Sequence, residues 1–132
     1  MSNVNLRDLN KLDKELSDAI DDSYIDLSIW ILPSFTINQI EKMMRVSLIK
    51  EGFNPTIKFT EYNQYPTQIL DPDSTLRQSN IDYAIFTVRM EDLIPNYLSN
   101  FYSSKSNISS EKVFSYLDDY IDLILNLKDQ SN

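Results

Sequence analysis

Ile25-Asp26-Leu27-Ser28-Ile29-Trp30-Ile31-Leu32, followed at once by Pro33-Ser34-Phe35-Thr36, is the stretch whose reading decides the fold. The first part is a short, nearly continuous apolar run, the pattern of a parallel strand buried on both faces; a half-exposed strand would alternate instead. Thr36-Ile37-Asn38-Gln39 then has the spacing of a capping box, in which the threonine oxygen accepts from the third helical amide and the glutamine reaches back. A helix is predicted onward through Ile37, Ile40, Met43, Met44 and Leu48 to Glu51, with Gly52 placed to form a left-handed C-terminal cap. Gly52 is the sole glycine. The turn from Pro33 to Thr36 therefore lacks glycine where a backbone must approach a pyrophosphate, and neither a dinucleotide fingerprint nor a phosphate-binding loop is present.

Outward from this unit, Thr56 to Thr60 carries Ile57 and Phe59 in alternation and reads as a second, edge strand. Ile81 to Val88 is a third strand and the second strongly buried one. Between them, Glu61 to Asn80 is polar and proline-punctuated, far longer than the roughly 4 to 6 residues of an ordinary connection, and reads as a functional loop. Within it Asp71-Pro72-Asp73-Ser74 is a predicted turn and Thr75 to Asn80 a short helix. Pro95 suits the first turn of a helix continuing through Tyr97, Leu98 and Phe101, before a Ser- and Asn-rich linker at Ser103 to Asn107. A last helix starts near Ser109, has Glu111 in its first turn, and lays Val113, Leu117, Tyr120, Ile121, Ile124 and Leu125 on one face. At the other end, Val4 to Ile20 is an amphipathic helix with Leu6, Leu9, Leu12, Leu16, Ala19 and Ile20 in its stripe; it covers a core edge or serves as an appended docking helix. The whole reads as one α/β domain over residues 1–132, an N-terminal helix (1–23) and a core (24–132), with a doubly wound parallel sheet of order 2-1-3 set by right-handed crossovers.

Composition removes several classes of function. Twenty acidic against twelve basic residues give a formal net charge of −8, a field that repels phosphate backbones and anionic headgroups. Lys42, Arg45 and Lys50 are the densest cations and read as a solvated helix face. Nucleic acid and membrane are thus not expected partners. With neither cysteine nor histidine, there is no disulfide framework, thiolate site, histidine base or histidine ligand; no metal and no cofactor is expected. The N-terminal residues lack the apolar core of a secretory signal, and the apolar runs are too short to span a bilayer, so a cytoplasmic location is expected.

In an open α/β sheet ligands bind outside the carboxyl ends of the strands. The turns there would gather Ser34, Thr36, Arg89 and Asp92, with Asn63 and Gln64 overhanging. Each has a plainer reading: Ser34 and Thr36 as helix caps, Asp71 and Asp73 as turn formers instead of metal ligands, Tyr62 and Tyr65 as cover for the loop's underside. Arg89 with Asp92 is either a surface ion pair or a holder for an anionic ligand.

Ile29-Trp30-Ile31-Leu32-Pro33-Ser34-Phe35-Thr36, Tyr62-Asn63-Gln64-Tyr65, Ile69-Leu70-Asp71-Pro72-Asp73-Ser74-Thr75-Leu76, Asp82-Tyr83-Ala84-Ile85-Phe86 and Glu91-Asp92-Leu93-Ile94-Pro95 together resemble the N-terminal domain of the FkbH-like proteins, which are haloacid-dehalogenase-type (subfamily IIIC) proteins of polyketide and related biosynthesis. The resemblance covers roughly residues 26 to 127. It implies a three-layer, flavodoxin-like and SGNH-hydrolase-like α/β domain. In the family this domain precedes a phosphatase-type catalytic domain that loads a glyceryl group onto an acyl carrier protein. No strand followed by an Asp-x-Asp nucleophile of that second domain is found here. The Gly-Asp-Ser turn and late histidine of SGNH hydrolases are also missing, since the turn is Pro-Ser-Phe. The expectation is a non-catalytic recognition domain whose partner is an acyl carrier protein or a phosphatase-type catalytic domain, with homo-oligomerisation as a further expectation; Ser34, Asn63, Gln64, Tyr65, Asp73, Arg89 and Asp92 are the candidate binding residues. Two alternatives stand beside it. One is a small ester or thioester hydrolase with Ser34 or Thr36 as nucleophile and Asp92 or Asp73 as base; the other is a small-molecule binding module using Asn63, Gln64 and Arg89.

Overall fold

Burial along the first strand rises steadily toward its carboxyl end. In the computed structural model, which describes residues 5–94, 96 and 110–129, strand β1 (Ile25–Pro33) begins exposed and finishes with Ile29, Trp30, Ile31 and Leu32 all at 4% exposure or less. Consecutive residues can be buried in this way only in a central strand covered on both faces, as the apolar run implied. The strand is the middle of a three-stranded parallel sheet of order β2-β1-β3. Strand β2 (Phe53–Phe59) pairs with it in register from Ile25↔Phe53 to Ile31↔Phe59, starting earlier than the predicted Thr56, and β3 spans Tyr83–Thr87. Strand β3 is not the strongly buried strand its apolar run implied, since Tyr83 is exposed and the rest only half-buried, as befits an edge beside an open groove.

The chain divides into two compact units. The first comprises the residues up to Ile31 together with Ile37–Phe59 and Ile81–Ile85. In it, helix α1 (Leu6–Asp18) opens with the Asn5 side chain accepting from the Arg7 amide and buries Leu9, while Leu6 stays exposed, so the apolar stripe is narrower than its sequence pattern. Helix α2 (Ile40–Lys50) begins later than Thr36-x-x-Gln39 predicts, and the capping box does not form. Its place is taken by a preceding turn, with the Ile40 amide donating to Ile37 O and the Glu41 amide to Asn38 O, so these donors need no side-chain cap. Arg45 corrects the reading of a solvated basic face. Its guanidinium bonds Asp13 Oδ1 at 3.2 Å, Ser17 Oγ at 3.0 Å and the Pro55 carbonyl at 3.2 Å, tying α1, α2 and β2 together.

Gly52 does what its position suggested. It sits at φ +90, its amide donates to Ile49 O, and its carbonyl accepts from the Ile25 amide, so the end of α2 is coupled directly to the start of the sheet. Asp82 and Ser28 form a reciprocal link beside β3: each backbone amide donates to the other residue, to Ser28 O in one direction and to Asp82 Oδ2 in the other.

The second unit comprises Leu32–Thr36, Thr60–Asn80 and the chain from Phe86 onward. Its helices are α3 (Tyr65–Leu70), α4 (Thr75–Gln78), α5 (Met90–Leu93) and α6 (Ser110–Asp129). Glu61 to Asn80 is therefore more ordered than a loop, because its polar groups bond each other. Ser74 Oγ accepts from the Arg77 amide and donates to Gln68 O, Gln68 Oε1 accepts from the Leu76 amide, and Asp71 Oδ1 accepts from the Asp73 amide in the predicted turn. Tyr65, Ile69, Leu76, Ile94 and Leu127 supply buried core. Tyr65, Phe86 and Tyr120 meet edge to face at centroid distances of 6.0 to 6.4 Å, a geometry set by the ring quadrupoles. Helix α6 turns inward on Val113, Leu117, Tyr120 and Ile124, whereas Ile121 and Leu125 of the predicted face are exposed. The predicted helix through Tyr97, Leu98 and Phe101 and the linker at Ser103 to Asn107 lie outside the described residues.

No atom stands within 4 Å of where a Cβ on Gly52 would be, so substitution there strains only the backbone. Gly52→Ala is expected to lose about 1 to 2 kcal/mol in urea denaturation, and Gly52→Asn less, since asparagine tolerates this conformation better. Equal stability of all three proteins would remove the left-handed cap from the account.

Candidate functional site

The carboxyl ends of β1 and β3 are held together by the residue that follows β1. The Ser34 amide donates to Thr87 O at 3.0 Å, which brings its side chain against the segment leaving β3. There the Ser34 hydroxyl is fully used: it donates to Asp92 Oδ2 at 2.6 Å and accepts from the Arg89 amide at 2.9 Å. Asp92 is fixed in turn by α5, its own amide donating to Arg89 O. The Arg89 guanidinium grips the carboxylate side-on along one edge, Nε to Oδ2 at 2.7 Å and Nη2 to Oδ1 at 3.3 Å, while Glu91 lies 3.7 Å from Nε. Phe35 completes the arrangement with its ring 5.4 Å from the guanidinium carbon. Ser34, at 0% exposure, is therefore not a helix cap; it is a buried hydroxyl satisfied on both sides.

Charge follows the hydrogen bonds. The Arg89 bond, and after it the Ser34 bond, hold the Asp92 carboxyl below its ordinary value, and the same Asp92 bond pushes the Arg89 guanidinium up. Tyr65 is raised by burial and secondarily by the Asp92 charge. Burial, with Tyr65 beside it, pushes the Tyr120 phenol up to about 12. One cation between two carboxylates leaves the cluster acidic, so the charge of Arg89, although its side chain is 46% exposed, is already engaged by Asp92 and Glu91. A carboxylate held below its usual range is also a weak proton acceptor, and a serine with no exposure does not meet a substrate.

Of the sequence candidates, Ser34, Arg89 and Asp92 form this one cluster. Asn63 touches its margin through the main chain only: it sits at φ +59, its amide donates to the Pro33 carbonyl, and its side chain is exposed. Thr36 is exposed and takes no part in the bonded set. Gln64 is exposed and caps α3 through its carbonyl, which accepts from the Gln68 amide. Tyr65 is a packing residue in the aromatic trio, and Asp73 is an exposed member of the turn after α3.

Three features escaped the sequence reading. Thr60, just past β2, and Thr87, at the end of β3, each keep a buried hydroxyl oxygen without a hydrogen-bond partner among the described residues; only their position at strand ends would have drawn attention to them. The third lies in the first unit, an open groove of about 680 Å³ lined by Leu27, Ile29, Met43, Met44, Tyr83 and Ile85. Met43 and Met44 read as ordinary core positions of a helix, and nothing in a linear pattern separates a covered apolar face from an uncovered one. Among the described residues no three His, Cys, Asp or Glu side chains are grouped to hold a metal ion, and no helix is long and apolar enough to cross a membrane.

No family model and no curated protein matches the chain. A solved structure described as the N-terminal part of the protein BF1531 from Bacteroides fragilis, containing a phosphatase domain complexed with Mg, is similar to it with a TM-score of 0.62 and 26% sequence identity. The match covers 89% of this chain and 30% of that one, so the chain spans about a third of the length of the structure it matches.

Asp92 also governs a pH response. A carboxyl lowered on folding adds stability that is complete above its unfolded value of about 3.9 and is lost as pH falls through the folded value. Asp92→Asn is expected to be less stable than the wild type near neutral pH, with the gap closing on acidification below about pH 4. Urea denaturation across that range tests this; a gap independent of pH would show that the charge of Asp92 contributes nothing.

Proposed function

We propose that this chain is a non-catalytic recognition or scaffolding domain of an FkbH-like biosynthetic system, one that forms glyceryl carrier protein in polyketide or related natural-product assembly. Its partner on this reading is an acyl carrier protein or a phosphatase-type catalytic domain. The observation that carries the reading is the likeness, over 89% of the chain, to the N-terminal part of a larger protein that contains a phosphatase domain. Two features of the chain support it. The Asp71-Pro72-Asp73 segment, the one Asp-x-Asp in the sequence, follows a helix and bonds itself into a turn, unlike a nucleophile pair at a strand end. And Ser34, the serine nearest a hydrolase position, spends its hydroxyl on Asp92 and the Arg89 amide.

Recognition also suits the parts left open. Strand β3 is an edge of the sheet, and an edge with free amides and carbonyls is a template for added polypeptide. The exposed side chains of Asn63 and Gln64 offer polar contacts on the other unit.

Calorimetric titration of the chain with an acyl carrier protein and, separately, with a phosphatase-type catalytic domain is expected to give saturable binding to one of them, weakened by Gln64→Lys. A stable monomer that binds neither would overturn the proposal. In parallel, ester and thioester substrates are expected to show no turnover. Turnover that disappears in Ser34→Ala while the variant stays folded would instead establish the hydrolase reading.

A further inference from the structure

Helix α6 leaves a second apolar surface that its packing does not use. Phe114, Ile121 and Leu125 are 63%, 50% and 45% exposed. They fall seven and eleven residues apart, close to two and three helical turns, so they line up along one face of the helix. Glu111, Asp118, Asp122 and Asp129 are also exposed, and the helical angle puts all four on the same side of that line. Val113, Leu117, Tyr120 and Ile124 occupy the opposite side, toward the core. Among the described residues none of the four carboxylates is in an ion pair. The result is an apolar ridge with an acidic border along one side.

We propose that this face of α6 docks a basic amphipathic helix of another polypeptide, its Leu- or Ile-type residues laid against Phe114, Ile121 and Leu125 and its Lys or Arg side chains against the acidic border. Charge decides among the occupants. A second copy in the antiparallel twofold pairing would set the two acidic borders against each other on the same side, in molecules that each carry a net charge of −8. An anionic bilayer would be repelled for the same reason. A cationic helix gains apolar burial and Coulomb attraction together, the helix-in-groove mode read through residues spaced by turns. The inference uses a different surface from the partner titration above and stands or falls separately.

The test uses two synthetic helical peptides of about 18 residues, long enough to hold helix on binding, patterned Leu/Lys in one and Leu/Glu in the other. Fluorescence anisotropy with the full chain is expected to show the Leu/Lys peptide binding at micromolar concentration and more weakly at high salt. Ile121→Ser with Leu125→Ser, both exposed and so tolerated by the fold, is expected to weaken binding at least tenfold with an unchanged melting temperature. Asp118→Lys with Asp122→Lys is expected to transfer preference to the Leu/Glu peptide. Binding of both peptides equally, binding unaffected by the serine pair, or absence of binding to either would overturn the proposal. So would a concentration-dependent dimer, or attachment to phosphatidylserine vesicles, that the serine pair abolishes.

Discussion

A strand buried on both faces cannot carry a polar group past the point of dryness unless that group is given partners, and β1 lives under this constraint to its last residue and one beyond. Ile31, Leu32 and Ser34 all have no exposure. Ser34 is the first hydroxyl on that dry path, and the segment leaving β3 is shaped to meet it: the Arg89 amide donates to its oxygen and Asp92 accepts its hydrogen bond. An unpaired hydroxyl there would cost on the order of 1 to 3 kcal/mol. The cluster that stands where an active site is expected in an α/β sheet is thus the solution to a packing problem. Trp30 shows the same constraint unmet: its buried ring nitrogen has no hydrogen-bond partner among the described residues, while Lys58 stands over the ring at 5.6 Å.

The scarce cations have similar work. Arg45 links two helices and a strand from a position with only 25% of its side chain exposed, and Arg89 binds Asp92 and approaches Glu91. Arg89 answers its carboxylate through a paired contact and Arg45 spreads its planar group over a carboxylate, a hydroxyl and a carbonyl, geometries that lysine does not reproduce. Arg45 is drawn in from the surface and the charge of Arg89 is offset by the carboxylate it holds, so the acidic surplus shows at the surface, as along the outer face of α6.

The sheet, its 2-1-3 order and the role of Gly52 were legible because they depend on local, strongly patterned signals: an unbroken apolar run, a second such run at Tyr83 to Thr87, and a single glycine after a helix. What was not legible depends on partners distant in sequence. Thr36 and Gln39 have capping-box spacing, but α2 starts only at Ile40, after a backbone turn has already supplied the bonds. Arg45 looked solvated because Asp13 and Pro55 are far from it along the chain. Ile121 and Leu125 share a helix face with Tyr120 and Ile124 within the tolerance of a sequence pattern, and only the position of the core separates them. At the candidate site, sequence brought Ser34, Arg89 and Asp92 to one place through strand topology. That Ser34 would be closed off by the other two is a matter of ångströms no spacing encodes.

Catalysis needs convergent polar groups that are unsatisfied until substrate arrives, set in a concave surface that a substrate can enter. Here the two requirements are separated. The polar groups that converge, Ser34, Arg89 and Asp92, satisfy one another, whereas the concave surface, the groove of Leu27, Ile29, Met43, Met44, Tyr83 and Ile85, offers almost no polar chemistry. A parallel sheet ordinarily has both faces covered, and methionines adapt their shape to whatever covers them. The groove's walls draw on both β1 and β3, and β3 is an edge strand among the described residues. Apolar surface beside free backbone donors and acceptors is suited to receive polypeptide, which supplies side chains and main chain together. The polar groups that converge are closed on one another, while the apolar groove stays open.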